Sequence, residues 1–211
     1  MCRRSPVCSA ARAAPASPGG RVDILTGITL AAPAGVNAYI PLLAVALAER
    51  FGWVQLRQPF DLLGSWWFIA LVGVLLVVEL VADKVPAVDH VNDAIQTFIR
   101  PAAGGLVAVA SSGEGRVAPW LLLAAGVLIA GGVHAVKASA RPVINAATGG
   151  VGAPVVSTAE DVGAAGVTVM AFVLPLLTFL VVAAGMAFAV WAIVRWRRSR
   201  AEKRSAAPPA T

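Results

Sequence analysis

The sequence is poor in the residues that most catalytic and metal chemistry requires. It has two cysteines and two histidines in 211 residues. Cys2 and Cys8 both lie in an Ala-, Arg-, Pro- and Ser-rich N-terminal stretch. Neither has metal-ligand spacing or a hydrophobic setting, so no disulfide framework or zinc site follows. There is no Gly-x-Ser-x-Gly elbow, His-Glu-x-x-His helix or Cys/His pair, which leaves a recognisable hydrolase unsupported. The glycine-rich run TGGVGAP at 148–154 lacks the GxxxxGK[ST] pattern and follows no strand, so it reads as a turn or membrane break. No cofactor is implied. Charge is scarce too, at 13% of residues against about 25% in soluble domains.

What is present is apolar sequence in long runs. Hydrophobic residues make up 58% of the chain. Runs at 24–48, 66–82, 117–136 and 162–194 each approach or exceed the roughly 20 residues that cross a bilayer core. The fold class expected is all-α: a polytopic helical membrane protein with four to six membrane segments, some broken or re-entrant. Residues 1–22 lack the apolar core of a signal peptide and read as a disordered tail. Residues 23–194 form one integral membrane domain, and 195–211 a basic cytoplasmic tail.

The net charge of +6 is concentrated in that tail. Arg195, Arg197, Arg198, Arg200, Lys203 and Arg204 stand there against Glu202 alone. A basic run that begins where an apolar helix stops is a cytoplasmic anchor that meets anionic headgroups. Nucleic-acid binding would need a basic folded surface interleaved with aromatics, so no nucleic-acid partner is expected. The expected partners are the bilayer and its anionic headgroups, with room for a homo-oligomer. The expected location is the plasma membrane, multi-pass.

Asp23 is a suitable N-cap for the first helix. That helix contains Pro33, Gly35, Asn37 and Pro41, so it should kink or break near its middle. Trp66 and Trp67 open the next helix at headgroup level, with Ser65 as its cap. Residues 101–110 are only half a span, and extending them back to Ala94 brings in Gln96 and Arg100. With Pro101, Gly104 and Gly105, this segment reads as a re-entrant half-helix. Ser157 and Glu160 fit a capping box for the last segment, which is long enough to kink or divide at Pro175. Four crossings plus the re-entrant element would put thirteen Lys and Arg inside against four outside, with both termini cytoplasmic. Five crossings would show no bias.

A K-x7-N-x8-P pattern occurs twice, at Lys84/Asn92/Pro101 and Lys137/Asn145/Pro154. AYIPLL at 38–43 resembles FVLPLL at 172–177. In the four-crossing arrangement the two units would face opposite sides, as in the inverted repeats of secondary transporters.

Two polar groups could carry function. Glu79, Asp83, Asp89 and Asp93, with His90, are proton- or cation-site candidates. Glu79 and Asp83 are i and i+4 and share a helix face, although a solvated loop also accounts for Asp89, His90 and Asp93. Carboxylates and one His do not match a metal motif, so no metal is expected. His134, Lys137 and Arg141 form one stripe at i, i+3 and i+7, suited to an anionic ligand or to salt bridges such as Glu79–Lys137 or Asp83–Arg141. Asn37, Asn92 and Asn145 are polar candidates at helix breaks.

The stretches ELVADKVPAVDHVNDAIQTFIRPAAGG and HAVKASARPVINAATGGVGAPVVSTAED resemble the signature regions of a family of bacterial multi-pass membrane proteins. That family is catalogued as a domain of unknown function, number 4126 in the series. LTGITLAAPAGVNAYIPLL resembles its first helix, and the likeness covers about residues 23–190. It implies a membrane location and a shared polar core, with no activity to transfer. The motif positions are Asp83, Lys84, Asp89, Asp93, Arg100, His134, Lys137, Arg141, Ser157, Glu160 and Asp161. Two functions follow as expectations. One is a small secondary transporter or lipid-headgroup translocase. The other is a non-catalytic assembly or regulatory factor whose buried charges are structural salt bridges.

Overall fold

A computed structural model describes residues 24–84, 86–113, 117–149 and 151–205. Among these the architecture is wholly helical: α1 (Ile24–Val36), α2 (Tyr39–Arg50), a 3-10 turn at Phe60–Gly64, α3 (Trp66–Ala82), α4 (Pro86–Ala110), α5 (Pro119–Thr148), α6 (Gly152–Val173) and α7 (Pro175–Ser205). Three helices among the described residues are long and apolar enough to cross a membrane: Pro119–Thr148, Pro154–Val173 and Pro175–Ala192. α1 and α3 are apolar but shorter. The protein is a polytopic helical membrane protein.

The first apolar run is a hairpin of two short arms. α1 lies antiparallel to α4, with Gly27 against Ala108 and Ala31 against Gly104. The chain then breaks at Asn37, and α2 runs back. Its C-terminal end must lie beside the C-terminal end of α4, because the Arg57 N–H donates to the Ala110 carbonyl at 3.0 Å. Had α2 continued in the direction of α1, its end would stand roughly 35–40 Å from Ile24, beyond the reach of the few residues leading to Arg57. Asn37 makes the break: its Oδ1 accepts from the Tyr39 and Ile40 N–H groups at 3.1 and 3.3 Å, starting the second helix. The helical hairpin whose two outer ends share one end of the bundle is therefore α1–α2.

Residues 101–110, expected as a re-entrant half-helix, are instead the C-terminal half of the continuous 25-residue α4. Gln96 and Arg100 do not end the helix because both are buried against partners on neighbouring elements. α4 and α5 form a long antiparallel pair, from Asp93 beside Arg141 to Gly105 beside Leu123. Glycine sets its closeness. A Cβ at Gly35 would collide with the Ala130 carbonyl, one at Gly104 with the Ala130 Cβ, and one at Gly126 would come within 2.5 Å of the Gly104 carbonyl. Small residues let α1, α4 and α5 approach backbone to backbone, as membrane helices do where apolar burial gives little drive.

α5 runs through Pro142 to a C-cap at Gly149 (φ 62°), in the left-handed region glycine adopts without a Cβ penalty. α6 starts at Gly152, upstream of the expected capping box. Ser157 and Glu160 are drawn into tertiary contacts instead, described below. The final long run divides at Leu174, and α7 turns back along α6. Ser65 stands at the N-cap of α3, but its hydroxyl donates to the Leu62 carbonyl at 2.7 Å rather than to the new helix.

The bundle has two distinct ends. Trp53, Trp66, Trp67 and Trp120 are exposed at one, where α1 starts and α4 finishes. At the other, α7 carries on past Trp191 through the basic run to Ser205. Ile24 and Ser205 thus lie at opposite ends, which departs from the even-crossing arrangement. Residues 1–23 and 206–211, including the Asp23 cap and the N-terminal tail, fall outside the described residues. The K-x7-N-x8-P units do not face opposite sides. Lys84 follows α3 and Lys137 lies in α5, both at the tail end, with Asp83 and Lys137 3.6 Å apart.

Candidate functional site: a buried charge network

Four helices and the hairpin tip bring the polar residues together in the tail-end half of the bundle. α3 supplies Glu79, with Asp83 just past its end. α4 supplies Asp93, Thr97 and Arg100, and α5 supplies His134, Lys137 and Arg141. α6 supplies Ser157, Glu160 and Asp161. The spacing of each set puts it on one face of its helix. Glu79, Asp83, Arg100, His134, Lys137, Ser157, Asp161 and Asn37 are all buried.

Arg100, fully enclosed, is the hub. Its NH2 donates to Glu79 Oε1 at 3.0 Å and its NH1 meets His134 Nδ1 at 2.9 Å. A guanidinium has no acceptor, so the imidazole must accept at Nδ1 and carry its proton on Nε2. That proton points to Thr97 Oγ1 at 3.1 Å, whose own hydroxyl donates to the Asp93 carbonyl at 2.8 Å.

Asp83 is the best-satisfied acid. Oδ1 accepts from Asn92 Nδ2 at 2.8 Å. Oδ2 accepts from Arg141 and Ser157, each at 3.1 Å, with Lys137 Nζ at 3.6 Å. Two cations and two neutral donors hold this carboxylate as an anion. Lys137 also pairs with Glu160 at 2.9 Å and donates to the Val36 carbonyl at 3.0 Å, one of the carbonyls the helix break exposes. Arg141 reaches Asp93 at 3.4 Å and Glu160 at 3.8 Å.

At the hairpin tip, Asn37 Nδ2 donates to Asp161 Oδ1 at 3.0 Å. One amide therefore starts α2 and ties the tip to α6.

The network is richer in acids than in bases. Among the described residues, Glu79, Asp83, Asp93 and Glu160 pair with Arg100, Lys137 and Arg141, and Asp161 adds a fifth carboxyl hydrogen-bonded to the neutral Asn37 amide. Glu79 Oε2 and Asp161 Oδ2 are buried without a hydrogen-bond partner. An ionised oxygen in such a place costs several kcal/mol unless a proton or cation joins it. No group of three or more His, Cys, Asp or Glu among the described residues could hold a metal ion.

Of the expected site residues, Glu79, Asp83, Asp93, His134, Lys137, Arg141, Asn37 and Asn92 converge here. The side chains of Asp89 and His90 lie outside the described residues. Asn145 stands apart, its carbonyl accepting the Gly149 N–H that closes α5. Asp83–Arg141 is an observed pair, whereas Glu79 pairs with Arg100 rather than with Lys137. The hub role of Arg100 and the Asn37–Asp161 link were not anticipated. The signal for Arg100 was available, since Asp93, Thr97, Arg100 and Gly104 recur at helical spacing along α4.

No match to a curated protein or to a solved structure was found. A family profile described as Domain of unknown function (DUF4126) matches residues 24–195, nearly all of the helical bundle, and the chain belongs to that family.

Proposed function

We propose that this protein is a small secondary transporter that carries a proton or monovalent cation on its buried network. The observation behind this reading is the acid excess, with Glu79 Oε2 and Asp161 Oδ2 enclosed and without hydrogen-bond partners. Asp161 stands where a re-entrant hairpin tip meets α6, and broken helices near the midplane are where transporters place ions. Glu79 and Asp161 are the exchanging acids in this reading, and Asp83 is a fixed anion that holds α3, α4, α5 and α6 together. In this reading the tail end faces the cytoplasm, where its basic run meets anionic headgroups, and the network opens toward it past the partly exposed Asp93 and Glu160.

The test is proton flux in proteoliposomes that contain a trapped pH dye, driven by a potassium diffusion potential. Wild-type protein should acidify the lumen faster than protein-free vesicles, and Asp161→Asn should remove the excess while still inserting and folding. Flux unchanged in both Asp161→Asn and Glu79→Gln would defeat the reading.

The complete satisfaction of Asp83 favours a second reading, in which the network is structural and the protein assembles or regulates a partner. A swap separates the two. If Asp83→Arg with Arg141→Asp restores folding that either change alone destroys, the pair holds structure.

A further inference from the structure

The surface of α7 carries a feature separate from the charge network. Three clefts follow one another along this helix. The first, between Ile28, Ile129 and Phe179, ends at Met186. The second, of about 320 Å3, lies among α1, α5, α6 and α7, with Pro33, Val133, Ala164, Gly185 and Met186 in its walls. The third starts from Met186 and Val190 and ends at Trp191, Arg195 and Arg198. Met186 is common to all three and Val190 to the second and third, so the clefts adjoin as a groove that passes around α7, its basic end lined among the described residues by α7 alone. Almost nothing polar lines it until the arginines. Arg195 stacks over the Trp191 ring, 4.7 Å being the corresponding Arg50–Trp66 distance at the opposite end and 5.2 Å the distance here.

We infer that this groove binds one anionic phospholipid lengthwise, its chain along Gly185 and Met186 and its headgroup phosphate on Arg195 and Arg198. Three observations select that occupant. The groove follows Pro175–Ala192, a helix long and apolar enough to cross a membrane, beside which an acyl chain is the available apolar body. From Met186 to Arg195 the helix rises about 14 Å, close to half of a hydrocarbon core of about 30 Å, the depth of one leaflet. Its outer end is doubly cationic and carries a tryptophan at headgroup level, the chemistry that selects an anionic over a zwitterionic headgroup. α7 packs only lightly on α1 and α6, and few of its residues are buried, which leaves the groove open along its length.

The experiment uses the full chain in nanodiscs that contain either phosphatidylglycerol or phosphatidylcholine with chains brominated near mid-length. The readout is the quenching that depends on Trp191, taken as the difference between wild type and Trp191→Phe. Phosphatidylglycerol should quench more effectively by at least about fivefold in apparent affinity, the factor one basic side chain near an anionic surface corresponds to. Arg195→Gln with Arg198→Gln should bring it down to the phosphatidylcholine level. A Cβ at Gly185 meets nothing within 4 Å, so Gly185→Leu should fill the groove without disturbing the fold and abolish the preference. Equal quenching by the two lipids in wild type overturns the inference without any variant. A preference that survives Gly185→Leu in folded protein also overturns it, because the basic tail alone would then explain the enrichment.

Discussion

Arg100 NH1 lies 2.9 Å from His134 Nδ1, and this contact dictates the state of the only described histidine in the network. Protonating Nδ1 would set two cations head to head in an enclosed space. The expected outcome is a neutral His134 with its proton on Nε2, seen by 15N NMR of protein labelled at histidine and compared with His134→Gln for assignment. Arg100→Gln should remove the constraint and let both tautomers populate. A doubly protonated ring at neutral pH in the wild type would show that the contact is not maintained.

Arg100 and Glu79 are both almost wholly enclosed, so removing one leaves the other as an uncompensated buried charge. Arg100→Leu should destabilise the protein by about 3–5 kcal/mol. Glu79→Gln, which keeps a neutral acceptor for the guanidinium, should cost less. Unfolding in mixed micelles, read by tryptophan fluorescence, gives the comparison. Equal losses would mean that the pair does not hold α3 to α4.

The contrast between these residues and their sequence context shows what could be read in advance. The membrane class, the division at Pro175 and the break at Asn37 were legible, because apolar length and proline act locally. The direction taken after the break was not. Whether Asn37 kinks a helix or reverses it depends on Arg57 finding the Ala110 carbonyl, far away in the sequence. Residues 101–110 misled for the opposite reason: Gln96 and Arg100 look like the end of a membrane segment unless Glu79 and His134 are known to receive them. Ser157 and Glu160 likewise read as a local cap, and tertiary partners outbid it. The stripe of His134, Lys137 and Arg141 was legible as a face, but its partners were not.

Asn37 has two duties that substitution can separate. Asn37→Asp keeps an oxygen for the Tyr39 and Ile40 N–H groups but sets a second carboxyl against Asp161, whereas Asn37→Ala loses both contacts. The alanine change should cost about 0.5–2 kcal/mol for the cap alone. A double-mutant cycle with Asp161→Asn should show coupling between the tip and α6. Additive effects would mean that Asn37 only starts α2.

The close approach of α1, α4 and α5 predicts a sharp positional dependence for added methyl groups. Gly35→Ala and Gly104→Ala each push a Cβ into α5, on the Ala130 carbonyl and the Ala130 Cβ respectively. Each should cost about 1–3 kcal/mol, the range for overpacking a close-packed interior. Gly73→Ala and Gly163→Ala meet nothing within 4 Å. They should be neutral or slightly stabilising, since alanine is the better helix former by about 1 kcal/mol. Similar losses at all four positions, measured by heat-induced loss of monomer in detergent, would contradict this packing.

The fold sets an odd number of helices, α3, α4 and α5, between residues 58 and 146. With α1–α2 entering and leaving at the tryptophan end, the loop holding Gln58 lies on one side of the membrane. The α5–α6 turn beside Ala146 lies on the other. Both residues are exposed. With Cys2 and Cys8 replaced by serine, a single cysteine at position 58 should react with an impermeant maleimide from the outside of intact cells. One at position 146 should react only after the membrane is opened, as should one at position 91, beside the network on α4. The same-side labelling of 91 and 146 would distinguish this fold from an inverted repeat, which would place them on opposite faces. If positions 58 and 146 instead labelled from one side, α3–α5 would have to cross an even number of times. The continuous α4, paired along its length with α5, would then be the element in error.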